Sequence, residues 1–177
     1  MKRTIGLALA LAAALSFAVV AQARPAGGGS PAGDWNRRSA DVTFTKWVTN
    51  VPGDPSVTLA GASMVGVVGG DVGSPGVFQG TVIRDHATSN HFWLAQALYG
   101  FYGSKHSFVA YNFITENDNV TPATATIRGT VISGWMKGAG VTGAYTALDP
   151  CPIPTPGNVF GTLCFQGTLH LQLGFGR

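Results

Sequence analysis

From Asp41 onward no stretch of the chain holds a helical period; short runs rich in Val, Thr, Phe and Ile are instead separated by Gly, Pro, Asn and Asp. Successive side chains of an extended strand point to opposite faces, so period-two runs bounded by turn residues mark sheet. The alternation is clearest near the C-terminus, where Phe165, Gly167, Leu169, Leu171 and Leu173 share one face and Gln166, Thr168, His170 and Gln172 the other. In 124–133, Ala125, Ile127, Gly129 and Val131 oppose Thr124, Thr126, Arg128 and Thr130. Such strands bury one face and wet the other. The same pattern predicts strands at 42–49, 56–60, 64–68, 76–84, 91–102, 105–115, 124–133, 142–148, 158–163 and 165–173.

Two of these are apolar on both faces. In 105–115, His106, Phe108, Ala110, Asn112 and Ile114 oppose Ser107, Val109, Tyr111 and Phe113. In 91–102, Phe92, Leu94 and Leu98 oppose Trp93, Ala95, Ala97, Tyr99 and Phe101. Strands of this kind meet the core on one side and a partner subunit, a lid or lipid on the other. Eight or so strands with no helix to cover a sheet favour a small antiparallel β-barrel, because closure removes exposed edges. Glycines inside the strand patterns, at 66, 80, 100, 129 and 167, suit the bends of a small barrel. A two-sheet sandwich is the alternative.

Ahead of this all-β domain, expected at 41–177, stand two segments of different texture. Residues 1–23 combine Lys2 and Arg3, an apolar run over 5–20 and the small-x-small triplet Ala21-Gln22-Ala23. That is the pattern of a cleaved secretory signal peptide, and the run is shorter than the roughly 20 apolar residues of a membrane-spanning helix. Residues 24–40, rich in Gly, Pro and Ala, read as a flexible leader. The chain carries 11 basic and 8 acidic side chains. Without Lys2 and Arg3 its formal charge falls from +3 to +1, leaving no basic stripe for nucleic acid or anionic lipid. A secreted or periplasmic location follows. In that oxidising setting Cys151 and Cys164 are expected to form one disulfide, worth about 3 kcal/mol by loop-closure entropy.

Motifs for strong chemistry are missing. His86, His91, His106 and His170 lack the spacing that puts two imidazoles on one metal, so no metal and no cofactor is expected. Glu116-Asn117-Asp118-Asn119 reads as a polar hairpin without the glycine of a calcium loop. Ser104 stands in no completed nucleophile motif, and no acids pair on a strand face as glycosidase carboxylates do. What remains is a set of polar groups within or beside apolar strands: Asp71, Gln79, Gln96, Tyr99, Asn112 and Arg128. A few such groups in a greasy cavity fix a ligand's orientation. The bland alternative is that they face water on the outer wall, since alternation does not say which face is inside.

The stretch Gly100-Phe101-Tyr102-Gly103-Ser104-Lys105-His106-Ser107-Phe108-Val109 resembles the Gly-x-Tyr-x-Gly-Ser-x-x-x-x-Val run of the dirigent and allene oxide cyclase barrel superfamily. Gly76 to Val82 looks like that group's Gln-Gly strand, preceded by a Gly-Val-rich strand over 65–71, and 129–143 sits where the family has its Gly-rich turn. Order and approximate spacing agree from about Asp41 to Gly174. Trp135-Met136 replaces the Thr-Gly of that turn, and the first strand lacks the His-Asp pair of the plant dirigent proteins. The resemblance implies an eight-stranded barrel, often trimeric, whose lumen holds a hydrophobic small molecule and steers a cyclisation or coupling by shape. If the protein is an enzyme, it is then a cofactor-free cyclase or isomerase. The expected partners are a hydrophobic small molecule and further copies of the chain, with neither nucleic acid nor stable membrane insertion. An exported structural or interaction module with a packed barrel interior is the competing reading, and a small outer-membrane barrel a third.

Overall fold

The structure is a computed structural model that describes residues 38–54, 57–88, 92–151 and 163–174. The signal peptide and almost all of the leader lie outside the described residues, as do His91 and all but the last residue of the strand expected at 158–163. Eight strands follow one another: β1 (Ser39–Asn50), β2 (Ser63–Gly70), β3 (Gly76–Ala87), β4 (Phe92–Tyr102), β5 (Ser107–Asn117), β6 (Thr124–Gly134), β7 (Gly140–Ala147) and β8 (Cys164–Gln172). Each runs antiparallel to its sequence neighbour, and β8 returns to pair with β1 from Ser39↔Gln172 to Trp47↔Cys164. The result is a closed barrel, not a sandwich. Closure gives every strand two ladder partners, so no strand is left at an edge to recruit another chain.

Two boundaries differ from expectation. β1 begins at Ser39, within the segment read as leader, because Ala40 is small and apolar and continues the buried row against Leu171. No strand forms over 57–60. There the N–H groups of Val57 and Thr58 both donate to the carbonyl of Asp54, at 3.0 and 3.1 Å. The Asp85 carboxylate accepts the Thr58 hydroxyl and the Leu59 N–H, each at 2.6 Å. Donors engaged in this way are lost to a ladder.

The inward face of each strand is the apolar row. It carries Val42 and Phe44 on β1, Phe78 and Val82 on β3, Ala97, Tyr99 and Phe101 on β4, Phe108, Ala110 and Ile114 on β5, and Leu169 and Leu171 on β8. One end of the bore is solid. Phe101 stacks on Phe108 with centroids 4.7 Å apart, Phe44 on Phe78 at 5.8 Å, and Phe78 meets Phe101 edge-on at 5.3 Å. Each such ring gains roughly 1.5–3 kcal/mol from burial, so this cluster is a main anchor of the fold. Met136, in the β6–β7 turn, belongs to the same core.

A small barrel must bend its strands sharply, and glycine allows the close approach this needs. A Cβ placed on Gly66 would lie 2.0 Å from the carbonyl oxygen of Thr45, so only glycine lets β2 press against β1 there. The outer wall is half-apolar where β3, β4 and β5 adjoin. Leu94, Leu98 and Tyr102 on β4 and Phe113 on β5 are exposed, as the two-faced patterns of these strands imply.

Candidate functional site

Opposite the aromatic plug, four polar side chains enter the bore from four strands. The inward row of β1 runs Val42, Phe44, Lys46, Val48, and Lys46 is 1% exposed. From β4 comes Tyr99, from β5 Glu116 and from β7 Tyr145. The Lys46 ammonium donates to the Tyr99 hydroxyl at 2.5 Å and lies 4.0 Å from the Tyr145 ring centroid and 5.3 Å from that of Phe165. The Tyr145 hydroxyl donates to Glu116 Oε2 at 2.7 Å. Lys46 is thus enclosed by ring faces, whose negative π-clouds attract a cation, and it reaches Glu116 through Tyr145.

These surroundings displace each group's proton affinity. Burial pushes the Lys46 amine down from 10.5 to about 7, against the opposing pull of the Glu116 charge. Burial also raises the Glu116 carboxyl above its ordinary value; the Tyr145 hydrogen bond and Lys46 counter this, while Asp118 adds to it. Both phenols are raised, by burial first and then by Glu116, so each remains a protonated donor. Desolvation disfavours whichever form is charged, which draws an amine and a carboxyl toward neutrality together. Ammonium with carboxylate, or amine with carboxylic acid, the pair has zero net charge.

The cluster lines a cavity whose other walls are apolar, among them Val48, Leu59, Met64, Val82, Trp93 and Ile114. About 40 Å³ is open to the centres of water-sized molecules. That is room for roughly three waters or as many small heavy atoms, since each needs about 10–15 Å³ by this measure. Asp85 also lines it, and a bulge puts it there. The β3–β4 register shifts between Val82 and Arg84, so that Asp85, opposite Ala95, takes the inward position that strict alternation would have given Arg84. Asp85 in turn holds Thr58 and Leu59, which fixes Leu59 at the cavity wall.

Of the six expected ligand-binding residues, only Tyr99 lines this cavity. Asn112 also faces the interior and is fully buried; its Nδ2 donates to the Ala110 carbonyl at 3.2 Å, and its Oδ1 accepts no hydrogen bond from the protein. Gln79 and Arg128 are exposed on the outer wall. Gln96 is half-buried there, accepting from the Tyr111 hydroxyl at 2.5 Å. Asp71 lies in the β2–β3 turn, where its carboxylate accepts the Asp41 N–H at 2.8 Å. An outward Arg128 needs no buried counter-charge, so nothing about it calls for a bound anion. These four therefore stand apart from the cavity: Gln79, Gln96 and Arg128 take outward positions on β3, β4 and β6, and Asp71 lies in a turn.

Lys46, Glu116 and Tyr145 are absent from the expected set. The signal was present: Lys46 interrupts an otherwise apolar row on β1, and Glu116 continues the row Phe108, Ala110, Asn112, Ile114 one step beyond the expected strand end. Among the described residues no three His, Cys, Asp or Glu side chains converge as metal ligands would. Cys151 and Cys164 form the expected disulfide, their Cα atoms 5.5 Å apart. No family model, curated protein or solved structure matches this chain.

Proposed function

We propose that the protein is an exported barrel that takes a small, neutral, largely apolar molecule into the open half of its bore. The observation that carries this reading is the cavity itself, apolar on most sides with a cluster of donors and acceptors at Lys46, Tyr99, Glu116 and Tyr145. A largely apolar wall whose polar groups are partnered within the protein favours an uncharged guest, because a lone ion entering it would be desolvated. Export is supported by Lys2, Arg3, the apolar run and Ala21-Gln22-Ala23, together with the disulfide. The family resemblance adds steering of a cyclisation by shape, and the snug aromatic walls are compatible with that role.

The test is uptake of xenon, a neutral apolar probe small enough for this space, followed by its NMR shift and by competition with small ketones. Saturable binding that is lost in Ala95→Phe is expected, since Ala95 lines the cavity and a ring there would fill it. Absence of saturable binding, or binding indifferent to Ala95→Phe, would refute the reading.

A second reading has its own observation. The Phe44, Phe78, Phe101 and Phe108 cluster packs half of the bore solid, and Leu94, Leu98, Tyr102 and Phe113 expose an apolar band outside. A structural module that assembles with further copies of itself through that band fits both features. Self-association lost in Leu98→Lys and Phe113→Lys, with no xenon uptake, would favour it.

A further inference from the structure

We propose that Lys46 is an imine-forming amine and that the guest of the cavity is a small neutral aldehyde or ketone. This rests on the reading of the cavity as a guest site and names the chemical class of that guest. Four features converge. Lys46 is enclosed yet lines the cavity, so its side chain is out of bulk water and borders the space a guest would take. Amines desolvated in apolar pockets are the ones that act as nucleophiles toward carbonyl groups, because the uncharged form is populated near neutral pH. Burial brings Lys46 into that range, to about 7. Two phenols and a half-buried carboxyl stand around it as proton donors and acceptors.

The step balances without oxidant or reductant. The Lys46 lone pair attacks the carbonyl carbon; a C–N bond forms, the C=O π-bond breaks, and a proton passes from nitrogen to oxygen to give a carbinolamine. The Glu116 carboxyl then protonates the hydroxyl, the C–O bond breaks and water leaves, giving an iminium beside a carboxylate. Return of the proton to Glu116 leaves the neutral imine, with one water as the only by-product. The step creates no net charge, which suits a largely apolar site. The 40 Å³ of free space holds the carbonyl end of a guest. Tyr99, whose hydroxyl accepts from Lys46, has an O–H able to bond the carbonyl or carbinolamine oxygen.

Surface lysines set the background. Lys105 and Lys137 are exposed and lie outside the cavity. The experiment is reductive trapping of the full chain as its host exports it, using propanal and cyanoborohydride at pH 7, with the alkylated lysines located by peptide mass spectrometry. Labelling of Lys46 about tenfold or more above Lys105 and Lys137 is expected, and Ala95→Phe should abolish that preference. Glu116→Gln should slow labelling of Lys46 about threefold or more without slowing Lys137; an unchanged rate overturns the role of Glu116. If xenon enters the wild-type barrel but Lys46 is labelled no faster than the surface lysines, the imine proposal fails alone. If xenon does not enter either, the guest site fails with it.

Discussion

Replacing Lys46 with Met removes the most heavily desolvated charge among the described residues while keeping a straight side chain of similar length. A lysine that holds its proton to pH 10.5 when unfolded and releases it at about 7 when folded costs stability. The unfolded state binds more protons between those values, so stability rises with pH across that window and the penalty is complete below it. At pH 7 the penalty is roughly 4 kcal/mol, taking 1.36 kcal/mol per unit, and at pH 10 it is under about 1 kcal/mol. The attraction to Glu116, which keeps the Tyr145 hydrogen bond and is only half-buried, is already contained in that value of about 7 and is not subtracted again. Lys46→Met is therefore expected to stabilise the fold at pH 7 by about 1–4 kcal/mol, the range seen when buried ions give way to apolar side chains. Its advantage should shrink by about 2 kcal/mol or more between pH 7 and pH 10. Urea unfolding of both proteins followed by tryptophan fluorescence at pH 7, 8.5 and 10 measures this directly, with groups common to both cancelling in the difference. A difference that does not vary with pH, or a variant less stable than wild type at pH 7, would refute a desolvated Lys46.

Three further outcomes are expected. Reduction of Cys151–Cys164, whose ring spans 13 residues of sequence separation, should lower the melting temperature by an amount corresponding to about 3 kcal/mol without abolishing the barrel; unchanged melting would contradict the bond. His170 should titrate above its ordinary value because the Asp41 carboxylate lies 2.9 Å from its Nδ1. The resulting stability is present below pH 6.5 and lost as pH rises through the raised value, though at so exposed a site it is only tenths of a kcal/mol; NMR titration of Asp41→Asn should return His170 toward 6.5. Asn112→Leu should be neutral or stabilise by about 1 kcal/mol, since it removes a buried oxygen with no protein partner. Destabilisation beyond about 2 kcal/mol in thermal or urea melts would mean that Oδ1 is bonded in solution.

Much of the barrel was legible in the alternation of its strands. The rows Ala125, Ile127, Val131 and Phe165, Leu169, Leu171 are apolar on one side only, so their burial follows from hydrophobicity alone. On β4 and β5 both rows are apolar, and the choice of Phe101 over Tyr102 as the inward residue depends on closure against strands distant in sequence. The site was harder to read for a related reason. Polar residues facing water and polar residues facing a cavity alternate in the same way, so Gln79 and Arg128 looked no different from Tyr99. An ionisable group on the apolar row, as at Lys46, is the sharper sign, because its burial costs free energy that solvent exposure would avoid. Asp85 could not be placed from sequence, since it depends on the bulge between Val82 and Arg84. The turn at 57–60 was likewise hidden, because the donors there are captured by Asp54 and Asp85, one of them from another strand.

The most direct measurement of the open half of the bore is an NMR titration of the side-chain resonances of Lys46, Lys105 and Lys137 with a small neutral ketone. A cavity that admits guests at Lys46 requires its Cε and Nζ signals to shift saturably while those of the two surface lysines stay in place. Equal small shifts at all three lysines, or none at Lys46 when ketone is in large excess, would contradict it.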